Sequence, residues 1–376
     1  MAAKARIASS SRSIQIAACE ARAPPESEIS MLKSIIYRMP SGEPERKRLT
    51  IPEQKQPGVP ERKRFSMKDV LLWADGEPPK PGPRRIGIHT STAGGVEMAA
   101  ERAYRLGANT FQIFSSSPRQ WKPYPLAQAQ CDALRGLREK YGIGPMAIHS
   151  SYLVNLASAT AEFHRKSVIA FRGELQRALA LSAEFLVLHP GSFRGRSREE
   201  GLELVARSIA EAAEGLELEK SNLRVLIENT AGAEFSLGGS FDQVGQLLEY
   251  LRPVCPVGAC IDTCHTHVSG YDIVSEAGWH ETVQKLEETI GLRNVMAWHC
   301  NDAKDPRGSR RDRHEHVGKG TIGLDAFRRL LNDPRTEHAA FIAETPIDEP
   351  GDDLQNIATL KSLVDVVTAP PKRKRA

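Results

Sequence analysis

The sequence predicts an α/β protein built as a single (β/α)8 TIM barrel over residues 85–368, with a disordered basic N-terminal extension (1–84) and a basic tail (369–376). Three observations predict it. Eight short apolar segments alternate with eight segments of helical periodicity over about 280 residues, the count and length of such a barrel. Six of the apolar segments close on His, Asp or Glu: MAIH, FLVLH, RVLIE, GACID, VMAWH and FIAE. That places chemistry at one end of a parallel sheet. Finally, a doubly wound sheet would carry a Gly-rich phosphate turn after its first strand, and Gly94–Gly95 lacks that spacing.

The elements follow in order. RIGIHT (85–90) leads to a helix over 94–106, and TFQIFS (110–115) to one over 128–140. MAIH (146–149) precedes 161–182, FLVLH (185–189) precedes 199–218, and RVLIE (224–228) precedes 241–251. GACID (258–262) is followed by 275–290, VMAWH (295–299) by 323–332, and AFIAE (340–344) by 353–366. In a (β/α)8 barrel catalytic side chains come from the C-terminal ends of several strands.

Nine residues at or just beyond those ends form a candidate ligand set: His149, His189, Glu228, Asp262, His265, His299, Asp312, His314 and Glu344. Imidazole and carboxylate suit Zn²⁺, with Mn²⁺ and Fe as alternatives. Five His and four carboxylates exceed what one four-coordinate ion can use, so two or three ions follow. Four ionised carboxylates at one barrel mouth would repel one another without cations. A single His closing a strand is ordinarily hydrogen-bonded structure, but six strand ends sharing one chemistry are hard to assign to packing. His89 is read as a contact to a ligand or to substrate. His164, His267, His280, His316 and His338 are read as non-ligands.

Composition sets the remaining bounds. With 40% hydrophobic and 26% charged residues this is ordinary soluble composition. No apolar run approaches the roughly 20 residues of a membrane span, and no membrane partner is expected. The six cysteines form no CxxC pair and fit a reducing compartment as small buried hydrophobes, although Cys264 and Cys300 flank proposed ligands. Residues 1–84 hold 11 of the 24 prolines, repeat PERKR, and carry 16 Lys/Arg against 10 Asp/Glu. A short helix is expected over Met67–Ala74. The first residues are basic and rich in Ala and Ser, like an organellar transit peptide, but read rather as a disordered tail or a misassigned start. With KRKR at 372–375, the positive charge lies in the tails and residues 85–371 are net −6. Such tails add non-specific attraction to DNA phosphates or simply stay solvated.

Longer phrases carry a resemblance: GIHTSTAGG, FSSSPRQWK, HSSYLVNLAS, LVLHPGS, VLIENTAG, CIDTCHTHVSGYDI, HCNDAKDPRGSRRDRHEHVGKGTIG and IAETP. From about Ile86 to Leu363 the chain resembles the endonuclease IV family of apurinic/apyrimidinic (AP) endonucleases. The resemblance implies a DNA-repair hydrolase carrying three Zn²⁺ per chain, acting as a monomer in the cytoplasm on duplex DNA with abasic sites. It would cut the phosphodiester 5′ to the lesion, leaving a 3′-hydroxyl and a 5′-deoxyribose phosphate. It implies that His149, His189 and Glu228 hold one ion, and that Glu228 bridges to a second held by Asp262, His299 and Glu344. A third would lie on His265, Asp312 and His314. Glu228 and Glu344 would be catalytic, Glu344 orienting the attacking water or taking its proton. Arg119, Gln120, Trp121, Tyr152 and Leu153 would enter the DNA at the lesion, where Trp121 and Tyr152 would otherwise be rim packing. Arg313, with Lys304, would meet phosphate. The chain departs from the family pattern at His267, Lys319 and Ser117–Pro118, and residues 1–84 have no counterpart in it. The basic tails leave organellar or nuclear addressing open. Two other classes share the chemistry at sequence level: a metal-dependent sugar isomerase or epimerase on the same barrel, and a catalytically inactive DNA-binding barrel.

Overall fold

A computed structural model describes residues 82–365. In chain order its strands are β1 (Arg85–His89), β2 (Thr110–Ile113), β3 (Met146–His149), β4 (Phe185–Leu188), β5 (Arg224–Glu228), β6 (Val257–Asp262), β7 (Val295–His299), β8 (Asp302–Ala303), β9 (His314–Glu315) and β10 (Ala340–Ala343). All but β8 and β9 close into a parallel barrel in the order β1-β10-β7-β6-β5-β4-β3-β2. The helices are α1 (Met98–Arg105), α2 (Gln128–Tyr141), α3 (Ala161–Ala180), α4 (Arg198–Ala213), α5 (Phe241–Leu251), α6 (Thr263–Ser269), α7 (Glu276–Thr289), α8 (Leu324–Asn332) and α9 (Asp352–Ser362). No helix among the described residues is long and apolar enough to cross a membrane.

All eight predicted barrel strands are present, with ends shifted by two residues at most. The helices differ where backbone chemistry overrides periodicity. The first begins at Met98 and not at residue 94, because Gly94 and Gly95 take φ of +86° and +137° in the preceding turn. The fourth starts on a capping box, Ser197 Oγ accepting from the Glu200 amide while the Ser197 amide donates to the Glu200 carboxylate. It stops at Ala213, five residues earlier than expected, where the chain turns through Gly215 at φ +71° and Glu217 at +49°. Periodicity does not predict helix α6 or the β8–β9 hairpin. Gly82 and Arg84, on the extension side of the expected boundary, present their carbonyls to Asn109 Nδ2 at 3.2 and 2.8 Å. The remaining expectations for the extension, including a helix over Met67–Ala74, lie outside the described residues, as does the basic tail.

The core has two parts. A large layer between strands and helices includes Phe111, Phe171, Phe241, Phe327 and Phe341. A smaller one, made only of strand residues, fills the barrel: Ala147, Phe185, Val187, Leu226, Cys260, Ala297, Ala340 and Ile342. This inner set fixes where the chemistry goes.

Candidate metal centre

Side chains along a strand alternate faces with period two. Ala147, Val187, Leu226, Cys260, Ala297 and Ile342 all belong to the inner set, so the residues two positions further on also project into the barrel mouth. Those residues are His149, His189, Glu228, Asp262, His299 and Glu344. One repeat rule therefore aims six of the nine candidates at a common volume.

They meet on Glu228, which is fully buried. Its Oε2 lies 3.1 Å from Nε2 of both His149 and His189. Its Oε1 lies 3.0 Å from His299 Nδ1 and 3.4 Å from His265 Nδ1. His299 Nδ1 is also 3.1 Å from Glu344 Oε2. A third set forms where His265 Nε2 and His314 Nε2 lie 3.1 and 3.2 Å from the two oxygens of Asp312. Among the described residues, five groups have ligand atoms within 4.8 Å of one another, and three of them are made of His and carboxylate alone: His149–His189–Glu228, Glu228–Asp262–His299–Glu344 and His265–Asp312–His314. A four-coordinate zinc with bonds of roughly 2.0–2.1 Å sets its ligand atoms about 3.3 Å apart, close to these separations.

The hydrogen-bonding of the rings fits cation ligands. A metal-binding His usually donates its outer N–H to an acceptor that fixes ring and tautomer. His149 Nδ1 faces the Ser150 carbonyl at 2.8 Å, and His265 Nδ1 the Asn229 carbonyl at 2.9 Å. His314 Nδ1 faces the Glu344 carbonyl at 3.2 Å, and His299 Nε2 the Gln112 side-chain oxygen at 3.0 Å. In His149, His299 and His314 the other nitrogen is the one turned to the carboxylates; in His265 Nε2 faces Asp312, and Nδ1 is also 3.4 Å from Glu228. His265 Nε2 and His314 Nε2 are buried with the Asp312 oxygens at 3.1 and 3.2 Å, yet neither contact has the geometry of a well-directed hydrogen bond, as suits nitrogens that share a cation with that carboxylate.

Electrostatics agree. Burial opposes charge on Glu228, but His299 and His189 outweigh it and hold the carboxyl well below the usual range. Glu344 is likewise held low against its burial by His299. Burial also opposes charge on His265, which Asp262 and Asp312 nevertheless raise well above an ordinary imidazole. His314, opposed by burial and favoured by Asp262 and Asp312, reaches about 9. Glu228 and Glu344 stay ionised and demand positive charge, as protons on the rings or as cations.

Residues without titratable side chains complete the frame, and sequence reasoning does not single them out. Asn229 Oδ1 accepts from the Asp262 amide at 2.7 Å. Asn301 Nδ2 donates to Asp262 Oδ2 at 2.6 Å, and its Oδ1 accepts from the Glu344 amide at 2.7 Å. Asp262 caps α6 by accepting from the His265 amide at 2.7 Å, which explains the Asp-x-x-His spacing. Asp312 and His314 sit on the segment that the β8–β9 hairpin closes. Asp302 clasps that segment: its two oxygens accept from the amides of Ala303, Ile322, Gly318 and Gly323. The other two groups each include a cysteine, Glu228–Cys260–His299 and Asp262–Cys264–His314, and Cys300 is in none. All three are buried, and burial pushes their thiols up, Cys260 to about 12, so none is a ready thiolate. The His residues read as non-ligands join no group; His164 instead meets Ser208 Oγ at 2.6 Å and His267 Nε2 meets Thr321 Oγ1 at 3.2 Å.

Around the centre runs a polar rim. A cavity of about 360 Å³ is lined by His149, Tyr152, Asn155, His189, His265 and Asp312. Arg119, Gln120 and Arg313 are exposed, Trp121 and Leu153 half-buried, and Tyr152 is 68% exposed. A phenol that open does little packing; its ring meets the edge of Phe114, with centroids 5.2 Å apart. Trp121 packs edge-on against Phe163 at 5.4 Å. Ser151 joins the two loops that carry these residues: its hydroxyl donates to the Pro118 carbonyl and its amide to Glu174, each at 2.8 Å. Arg313 lies within 3.9 Å of Asp305, and Lys304 within 3.9 Å of Glu315.

The family model described as a xylose isomerase-like TIM barrel matches residues 100–363. A probable endonuclease 4 of Solibacter usitatus is 48% identical over 281 residues, covering 74% of this chain and 96% of the relative. A probable endonuclease 4 of Chloroflexus aurantiacus is 40% identical over 282 residues, covering 74% and 98%. The crystal structure of endonuclease IV from Thermus thermophilus superposes with a TM-score of 0.67 at 36% identity, covering 74% of this chain and 98% of that one. A D-tagatose 3-epimerase-like protein shares the fold at 19% identity, with a TM-score of 0.56 over 74% and 96%.

Proposed function

The chain belongs to the endonuclease IV family of xylose isomerase-like TIM barrels, and on that premise we propose that it hydrolyses the phosphodiester 5′ to an abasic site in duplex DNA, with three zinc ions on the nine clustered ligands. One observation carries the reading. Three ligand groups converge at the mouth, two of them through Glu228, directly beside an open rim with Arg, Gln, Trp and Tyr side chains. A sugar isomerase needs one or two ions and a proton-shuttling base, and has no use for that rim.

Bound zinc would supply a water of lowered pKa and positive charge for the phosphate oxygens. The rest falls to the chain's own side chains. Glu228 directs one oxygen to each of two groups and so fixes their spacing. Glu344, kept ionised, orients the attacking water or accepts its proton. Tyr152, Leu153 and the Arg119–Trp121 loop fill the space of the missing base. A base-less nucleotide costs little to extrude, because part of its stacking is already gone. Arg313 holds a phosphate by charge and paired N–H donors. The Ser151 link keeps both insertion loops in one relative position.

The direct test is a duplex bearing one tetrahydrofuran abasic analogue. The zinc-loaded protein nicks it on the 5′ side and leaves a 3′-hydroxyl. The nick persists through brief EDTA and disappears after prolonged metal stripping. An intact duplex together with turnover of an aldose would replace this reading with the isomerase. The N-terminal extension is proposed to act only through its charge. Removing residues 1–80 leaves cleavage at low salt within about threefold and flattens its salt dependence, since fewer counterions are released on binding. Loss of all cleavage in that variant would show that the extension belongs to the working site.

A further inference from the structure

We propose that Gln112 is the positioning residue of the second ligand group, the amide that decides which nitrogen of His299 and which oxygen of Glu344 face it. This rests on the metal reading of that group. Gln112 is fully buried on β2, in register with His89 on β1 and Ala147 on β3. Its Oε1 lies 3.0 Å from His299 Nε2. Its Nε2 lies 2.6 Å from Glu344 Oε1 and 3.0 Å from His89 Nδ1.

A side-chain amide has one oxygen acceptor and two N–H donors. The three contacts use all of them, and only one orientation of the amide works. Turned over, its oxygen would face a carboxylate oxygen at 2.6 Å, acceptor against acceptor. It would also aim an N–H at His299 Nε2 and drive the ring proton onto Nδ1, the nitrogen turned to Glu228 and Glu344. The orientation present does the opposite. With the amide oxygen accepting from Nε2–H, Nδ1 is the His299 nitrogen turned to the ligand group, where an ion would take its lone pair. Glu344 is held through Oε1, which leaves Oε2 for the same group. His89 Nδ1 lies 3.0 Å from the same amide nitrogen and 3.4 Å from Glu344 Oε1. One neutral side chain, unchanged in charge at any working pH, thus links ligands from two further strands to β1 and β2.

Gln112→Met keeps length and approximate volume but removes the acceptor and both donors. The full-length protein is loaded with zinc, counted by elemental analysis, and titrated against a chromophoric chelator. The wild type holds three ions. In Gln112→Met one of the three is surrendered about 10–100-fold more readily, the usual cost of losing a partner behind a ligand, and the other two are unchanged. The metal-free variant melts with the metal-free wild type. Long-range ¹H–¹⁵N spectra place the His299 proton on Nε2 in the wild type and show mixed tautomers in the variant. Gln112→Glu retains the acceptor, so it keeps the Nε2 tautomer yet holds the ion more weakly than wild type. Three ions bound with wild-type affinity in Gln112→Met would overturn the proposal and leave the metal reading intact. A lowered metal-free melting temperature would assign the loss to packing and overturn it as well. Fewer than three ions on the wild type would remove the metal reading itself.

Discussion

Glu228→Gln lowers the rate of abasic-site cleavage by on the order of 10²–10⁴-fold while the metal-free protein remains folded. Losing even a residue that only supports a ligand costs about 10–100-fold, and Glu228 is itself the proposed ligand of two groups, so its loss exceeds that. The substitution changes no volume. It removes the charge that faces His149 and His189 through one oxygen and His265 and His299 through the other. An amide must also turn its N–H₂ toward one of these groups, where it meets ring nitrogens whose lone pairs are needed for a cation. Single-turnover cleavage of the tetrahydrofuran duplex, with the metal count and circular dichroism on the same sample, separates the outcomes. Cleavage within tenfold of wild type would end the bridging role of Glu228. Full loss with all three ions retained would confine it to the chemical step.

The largest effect on stability is expected at a residue that is no ligand, in Gly87→Ala. Gly87 pairs in register with Thr110 on one side of β1 and Ile342 on the other. A Cβ built there would stand 1.8 Å from the Thr110 carbonyl oxygen and 2.5 Å from its carbon. Both are main-chain atoms, so no change of rotamer relieves the clash. Either β1 parts from β2 or the barrel seam distorts, and in a closed barrel neither displacement stays local. Overpacking of this kind costs about 3 kcal/mol or more, a fall of roughly 6–12 °C at 2–4 °C per kcal/mol. Thermal melting of metal-free wild type and variant measures it without the contribution of bound ions. A shift below about 2 °C, less than 1 kcal/mol on the same scale, would show that the seam yields more easily than its geometry indicates.

The barrel was legible because β-strand alternation and strand-end chemistry repeat. His149 and Glu228 close apolar runs in the sequence and, in the fold, stand two residues beyond an inner-layer side chain. The rest was hidden for physical reasons. Helix α6 has nearly every side chain buried, so it shows no polar face for periodicity to detect. The β8–β9 hairpin has two residues per strand, too few to alternate. Gln112, Asn229 and Asn301 act through amides on strands or just beyond them, and nothing local distinguishes such a residue from a tolerated polar one. Only closure of the barrel brings Gln112 against Glu344, 232 residues away. Asp302 escapes notice for the opposite reason: it resembles a ligand but serves backbone amides.

The clasp at Asp302 has a consequence for how such a protein changes over generations. Two of the ligand groups are completed by strand ends alone, and these belong to the scaffold. The third draws on α6 and on residues 302–323, a graft pinned by one carboxylate at its base. A barrel that lost or exchanged this graft would keep its framework and two of its three ligand groups. A change confined to that segment would therefore alter the third group separately from the fold that carries it.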